Sequence, residues 1–491
     1  MSADPAAPRS AAAEQPGLQA TSIERRQAID AACREPVLFF YASAVAWLLL
    51  GSVFALVASF KLHVPDLLTD AAWLTFGRVR PAHLNTMIYG WASMSGIGTL
   101  LWLQARLSRT PLPWRRVLVW LGVAWNAVVA AGTIAILAGQ GTSVEWLEFP
   151  QGYAYALTGP FLVLAVVSMV TFQRRRVGHV YVSQWYLFGA VLWFPLLYFA
   201  ANVLINGGVA SGVIQATANW WFAHNVLGLW LTPIGLAAIY YLIPKVIGRP
   251  IHSYYLSLLG FWSLALFYNW AGTHHLIGGP VPVWVTTVGT VGSMMMFIPV
   301  ITVAINHHLT MVGHFRQLRY SPTLRFIVFG GMSYTVVSVQ GSLQALRSVN
   351  EVSHFTHYTV AHAHLGVYAF FTMSMFGAIY YVVPRLKNRE WPSATLIRVH
   401  FWCTALGVGA YWVGLTVGGW LQGRQMNDPS IPFLDIVEMT KPYLLSRSLA
   451  GVLLTTGHVA LAWLLWRMLT GRGEVAPGPT LLARGRGESA E

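Results

Sequence analysis

Twelve apolar stretches, each about as long as a bilayer's hydrocarbon core is thick, dominate this chain of 491 residues. They run over 37–60, 83–105, 117–138, 152–172, 180–204, 218–244, 253–277, 283–305, 323–346, 358–384, 397–421 and 443–470. A helix that crosses lipid pairs every backbone N–H and C=O within itself, and lipid allows few alternatives. The expected fold is therefore an all-α membrane protein, a twelve-transmembrane-helix bundle. Only 10% of its residues are charged, against about 25% in a soluble domain.

The connecting segments alternate in charge. Those after the even-numbered spans up to the tenth, with the adjoining helix ends, carry sixteen Lys and Arg against one acid, Glu390. The opposite segments carry eight acids and six basic residues. The basic side faces the cytoplasm, which places both termini there. The same bias accounts for the formal charge of +14 without nucleic acid as a partner. Residues 1–36 are expected to be a disordered or interfacial N-terminal tail, 37–470 the twelve-helix domain and 471–491 a disordered C-terminal tail. No apolar core precedes Val37, so no cleaved signal peptide is expected. Cys33 and Cys403 form neither CxxC nor CxxCH and are expected to be plain thiols.

All seventeen acids are placed in tails or loops, which leaves His and Tyr as the main ionisable groups within the spans. Such residues are costly in lipid and usually functional. His83 opens the second span, and His224 lies early in the sixth. His274 and His275 end the seventh, and His362 and His364 begin the tenth. At 1.5 Å per residue the six fall within roughly 10 Å of depth in the outer third of the membrane. Hydrogen-bonded core histidines would explain one such residue, as they do His458. Six at one level point to metal, since imidazole suits copper, iron and zinc.

His362 and His364 are about 200° apart around a helix, so they suit two separate irons on opposite faces. The neighbours His274 and His275 can share one ion if the helix end loosens there, with His224 as a third ligand. His83 then pairs with one of the two histidines on the tenth span. The set suits a six-coordinate haem, a five-coordinate haem and a trigonal copper, with dioxygen between the last two.

The segments RVRPAHLN (78–85), WWFAHN (220–225), YYLIPK (240–245), RPIHSYYLS (249–257), FYNWAGTHHL (267–276) and SHFTHYTVAHAHLG (353–366) resemble the catalytic subunit of haem–copper oxidases of the C family, the cbb3-type cytochrome c oxidases. The resemblance implies that His83 and His364 are axial ligands of a low-spin haem b. It makes His362 the proximal ligand of the high-spin haem, and His224, His274 and His275 the copper ligands. It also implies a cross-link between Tyr268 and His224, with Tyr268 giving an electron and a proton as the O–O bond breaks. Tyr240 and Ser257 match positions of the family's proton path, and Arg80 matches its propionate-pairing position.

Further implied are membrane-anchored cytochrome c subunits, a bacterial inner membrane and metal centres near the periplasmic side. Three positions depart from the family pattern: Gln340 for Glu, His357 for Asp and Tyr255 for Arg. Two rivals remain. A nitric oxide reductase of the same superfamily would need intramembrane glutamates beside a second iron. A secondary transporter would show repeated halves and a midplane site.

Overall fold

A computed structural model of the protein describes residues 16–475, with side chains from Glu24 onward. Helices run almost end to end: α1 (Pro16–Lys61), α2 (76–108), α3 (Arg115–Leu137), α4 (Gln151–Gln173), α5 (Val182–Leu204), α6 (Gly212–Ile247), α7 (254–276), α8 (Val283–Met311), α9 (Pro322–Gln344), α10 (His357–Lys387), α11 (Ala394–Met426) and α12 (Phe433–Leu469). These correspond to the twelve expected stretches, most within a few residues. Ten are both long and apolar enough to cross a membrane; α2 and α7 are richer in polar and aromatic residues.

Trp91, Trp102, Trp125 and Trp230 are fully buried, and each indole N–H finds an acceptor, as burial requires. Trp91 Nε1 donates to Thr372 Oγ1 at 2.8 Å, tying α2 to α10. Trp230 Nε1 donates to Ser93 Oγ at 3.1 Å, tying α6 to α2. Trp125 Nε1 reaches the Tyr89 carbonyl at 2.8 Å.

The N-terminal boundary differs from expectation. The first helix runs unbroken from Pro16, where a tail through residue 36 was expected. Ile29, Cys33 and Val37 recur every fourth residue and are all buried, so the mixed-charge stretch hides one apolar stripe. Asp30 accepts from Trp102 Nε1 at 3.1 Å and pairs with Arg106 at 2.5 Å. Two acids thought to lie in loops, Asp435 and Glu438, stand on the first turns of α12. Near the other end, Val475 bridges to Arg389. Residues 1–15 and 476–491, the remainder of the two expected tails, lie outside the described residues.

Three helices widen into π-helical turns just after a site histidine. The wide stretches are Thr86–Ala92 in α2, Val226–Leu231 in α6 and Leu365–Thr372 in α10. They follow His83, His224 and His364 within three residues. Such turns concentrate at functional sites.

Candidate metal centre

The last turn of α7 tightens from α-helix to a 3₁₀ turn over Gly272–Leu276. The helix end does not loosen as expected; it winds tighter, and the two adjacent histidines still converge there. Ligand atoms of His224, His274 and His275 all lie within 4.8 Å of one another. The His274 and His275 ring centroids are 4.3 Å apart, and His224 stands edge-on to His274 at 5.1 Å. Ser293 Oγ donates to the Gly289 carbonyl at 2.7 Å. It can therefore accept the Nδ1–H of His274, 2.7 Å away. That bond fixes the tautomer and turns the other nitrogen of His274 toward the cluster. The His275 ring stacks on Trp220 at 4.2 Å.

Glycines allow this crowding. A Cβ on Gly272 would lie 2.5 Å from the Trp220 carbonyl oxygen and 2.8 Å from the His224 Cβ. One on Gly289 would lie 2.4 Å from the His274 backbone nitrogen. Tyr268 stacks on His224 with ring centroids 4.3 Å apart and planes at 26°. It lies so close over Gly228 that a Cβ there would fall 1.8 Å from the ring.

The two histidines of α10 part as their spacing requires. His362 lies near His224, His274 and His275. It also lines a cavity of about 90 Å³ shared with Tyr268, Tyr334 and Ser338. Gly341 faces it, where a Cβ would sit 2.8 Å from its Cε1. His364 instead lies on the side of His83. Each has its Nδ1–H tied to a backbone carbonyl, His83 to Gly51 and His364 to Val360, both at 2.9 Å. Both therefore keep Nε2 as an acceptor.

The sequence reading missed the neighbours of this pair. Tyr411 packs on the His364 ring at 4.5 Å, and Arg447 of α12 stands 5.7 Å from the Tyr411 ring centre. His458 matches its reading as a core residue. Its two ring nitrogens meet Ser52 Oγ at 2.8 Å and the Tyr368 hydroxyl at 2.6 Å.

Arg80 is held by two glutamates, Glu145 at 2.5 Å and Glu148 at 3.3 Å. Glu148 is a buried carboxylate that also accepts from Asn85 Nδ2 at 3.0 Å. Burial pushes its carboxyl up to about 7, while Arg80 and Asn85 pull it back. Its place in a polar loop hid this burial from the sequence reading.

Ser257 is buried and accepts from Asn306 Nδ2 at 2.7 Å. The buried Tyr240 hydroxyl is directed at Asn306 and Ser257 without closing a hydrogen bond. Of the three departures, Gln340 accepts from Trp412 Nε1 at 3.1 Å. The His357 backbone N–H donates to Gln422 at 3.0 Å, and Tyr255 is 84% exposed.

The residues present fit a copper and haem irons. Three imidazoles converge with no carboxylate among them, a donor set suited to copper. The buried Nδ1 atoms of His224 and His362 have no hydrogen-bond partner, and orphaned buried nitrogens suit atoms that meet a metal or a group beside it. The pair His83 and His364 presents two Nε2 acceptors, as a bis-histidine haem needs.

Residues 35–453 match the family described as cytochrome c and quinol oxidase polypeptide I. The chain is 30% identical to the cbb3-type cytochrome c oxidase subunit CcoN1 of Stutzerimonas stutzeri, over 87% of this chain and 93% of that one. It is 32% identical to a cytochrome c oxidase subunit 1 homolog of Azorhizobium caulinodans, over 89% of this chain and 82% of that one. In fold it is similar to a chain of a haem–copper terminal oxidase dimer solved by cryo-EM. The TM-score is 0.74 at 16% identity, covering 92% of this chain and 86% of that one. Matched along most of its length, with its six histidines divided between a three-imidazole cluster facing His362 and a separate pair, this chain belongs to the haem–copper oxidase family, within its cbb3-type branch.

Proposed function

We propose that this chain is the catalytic subunit of a cbb3-type terminal oxidase that takes electrons from cytochrome c and reduces dioxygen to water. The observation that carries the reading is the convergence of His224, His274 and His275 beside Tyr268 and opposite His362. His224, His274 and His275 would hold one copper, His362 a high-spin b-type haem, and His83 with His364 a low-spin b-type haem. When bound, these groups supply the electron transfer and the binding of dioxygen.

The protein's own residues do the rest. Ser293 keeps the His274 ring oriented. Tyr268, cross-linked to His224, gives the reacting oxygen one electron and one proton, and apolar walls exclude bulk water. Four electrons and four protons convert one dioxygen to two waters. The protons come from the cytoplasm along Tyr240 and Ser257. Arg80, though held by two glutamates, has further N–H donors for a haem propionate.

Cys33 and Cys403 are free, and no CxxCH lies in the sequence. Electrons therefore arrive through membrane-anchored cytochrome c subunits on the outer side. The complex sits in a bacterial inner membrane, with the metal centres toward the periplasm. The nitric oxide reductase reading asks for acidic ligands, and among the described residues the metal-competent cluster is made of histidine alone.

The deciding experiment is a reduced-minus-oxidised spectrum with carbon monoxide, with iron and copper analysis of the purified complex. Two b-type haems in this subunit, one binding carbon monoxide, with one copper support the oxidase. An extra iron in place of copper would establish the reductase.

A further inference from the structure

His307 of α8 is buried, 9% exposed, and neither ring nitrogen has a hydrogen-bond partner. It differs in this from the other buried histidines of the inner half: His458 satisfies both nitrogens, and His400 meets the Tyr380 hydroxyl at 2.8 Å. An orphaned imidazole within a span needs an explanation.

Its surroundings offer one. His307 lines a cavity of about 200 Å³ between α6, α8 and α9, together with His308, Met311, Phe315 and Thr335. The rim residues His308 and Phe315 are exposed and lie at the cytoplasmic ends of these helices, by the charge rule. A Cβ on Gly331 would lie 3.7 Å from His307 Nδ1, so that nitrogen faces the cavity wall formed by α9. Most of the cavity wall is apolar, and water in it would be held by its three polar groups, His307, His308 and Thr335.

Deeper in the protein, the His307 ring meets the Tyr240 ring at 4.6 Å. Beside them stand Asn306, the residue before His307 on α8, and Ser257 in the first turn of α7, bonded to each other at 2.7 Å. Tyr186 stacks on Tyr240 at 5.7 Å, and its buried hydroxyl is unpartnered, as is that of Tyr334 on the wall of the metal-centre cavity.

We infer that His307 is the proton relay between a water-filled cytoplasmic vestibule and the Tyr240–Ser257 path. One ring nitrogen takes a proton from vestibule water while the other passes its own toward Tyr240. A ring flip then restores the starting tautomer, with no net change in the residue. The inference rests on the proposed proton path and adds its first member. It explains why a span that could have used leucine here buries an imidazole with two open nitrogens.

The test uses the assembled oxidase complex carrying His307→Ala, His307→Gln or Tyr240→Phe. Each preparation is first checked for unchanged haem spectrum and copper content, and the glutamine variant serves if the alanine variant fails to assemble. Oxygen consumption in His307→Ala is expected to fall by at least about tenfold, as for loss of a positioned proton carrier. Its solvent deuterium isotope effect should rise, because proton delivery now limits turnover. Proton uptake on anaerobic reduction, followed with a pH dye, should slow in parallel. Added imidazole, small enough for the enlarged cavity, should restore part of the rate.

Turnover within twofold of the unmodified complex in His307→Ala, with Tyr240→Phe slow, overturns the relay and leaves the tyrosine path standing. Normal rates in both variants overturn the path as well. A slow His307→Ala with an unchanged isotope effect and no rescue marks the residue as packing, and also overturns the relay.

Discussion

Gly228→Ala tests whether the contact between Tyr268 and His224 is what the centre depends on. The added Cβ would lie 1.8 Å from Tyr268 Cε1 and 2.1 Å from its Cδ1 and Cζ. Ordinary contact begins near 3.4 Å, so the ring must retreat by roughly 1.6 Å or the helices must part. The ring packs against a buried cluster of Leu197, Leu229, Leu264 and Met296 and borders the cavity that it shares with His362, so a retreat carries it off His224. Overpacking of this kind costs about 1–3 kcal/mol, which a bundle of this size can absorb while staying folded. The effect on chemistry is larger. A catalytic group displaced by about 1 Å can cost on the order of 100-fold in rate. Turnover is therefore expected to fall on that order while the low-spin haem spectrum stays intact. Peptide mass mapping should show loss of the Tyr268–His224 cross-linked species in the same proportion. Full turnover with the cross-linked peptide retained would refute the reasoning.

Three further outcomes are expected. His362→Ala should lose the carbon-monoxide-binding high-spin haem and His364→Ala the low-spin one, so identical difference spectra for the two variants would sink the assignment. Ser293→Ala frees the Nδ1 of His274 and should weaken copper retention by about 10- to 100-fold on dialysis against a chelator; unchanged copper content would show that the hydrogen bond has no part in ligation. The Glu148 carboxyl, raised by burial to about 7 from an ordinary 4.5, keeps a proton in the folded protein that the unfolded chain gives up. Its contribution to stability is therefore present below the lower value and lost as pH rises to the upper one, about 3 kcal/mol in all. Melting curves of Glu148→Gln between those limits should be correspondingly flatter with pH, and an unaltered slope would contradict this.

What the sequence revealed and what it concealed divide along a physical line. The helices were legible because bilayer thickness fixes an apolar length. The separation of His362 from His364 was legible because it follows from rotation about one helix. The convergence of His274 with His275 was expected from a loosened helix end, whereas the helix tightens into a 3₁₀ turn at Gly272–Leu276. Features made by residues distant in sequence were not legible. Ser293 orients His274 from another helix, and Arg447 stands beside Tyr411 from the last one. Glu148 sits in a loop whose polarity gives no sign that it is buried. The start of α1 was missed because charge at half of the positions from Glu24 to Glu35 masked the stripe of Ile29, Cys33 and Val37. The π turns were also invisible, since their residues are as apolar as any α-helical ones.

Those wide turns give the protein two independent settings along one rod. A π turn admits an extra residue before the hydrogen-bond ladder resumes, so the helix below it is rotated relative to the helix above. In α2, α6 and α10 the boundary falls directly beneath a histidine. The upper part can then aim its imidazole toward the site, while the lower part presents whichever face fits its neighbours. Packing deep in the bundle can thus drift over generations without turning the ligand away. Conversely, a single-residue deletion in one of these stretches would shorten the rod by only about 1.5 Å yet lock the two settings together.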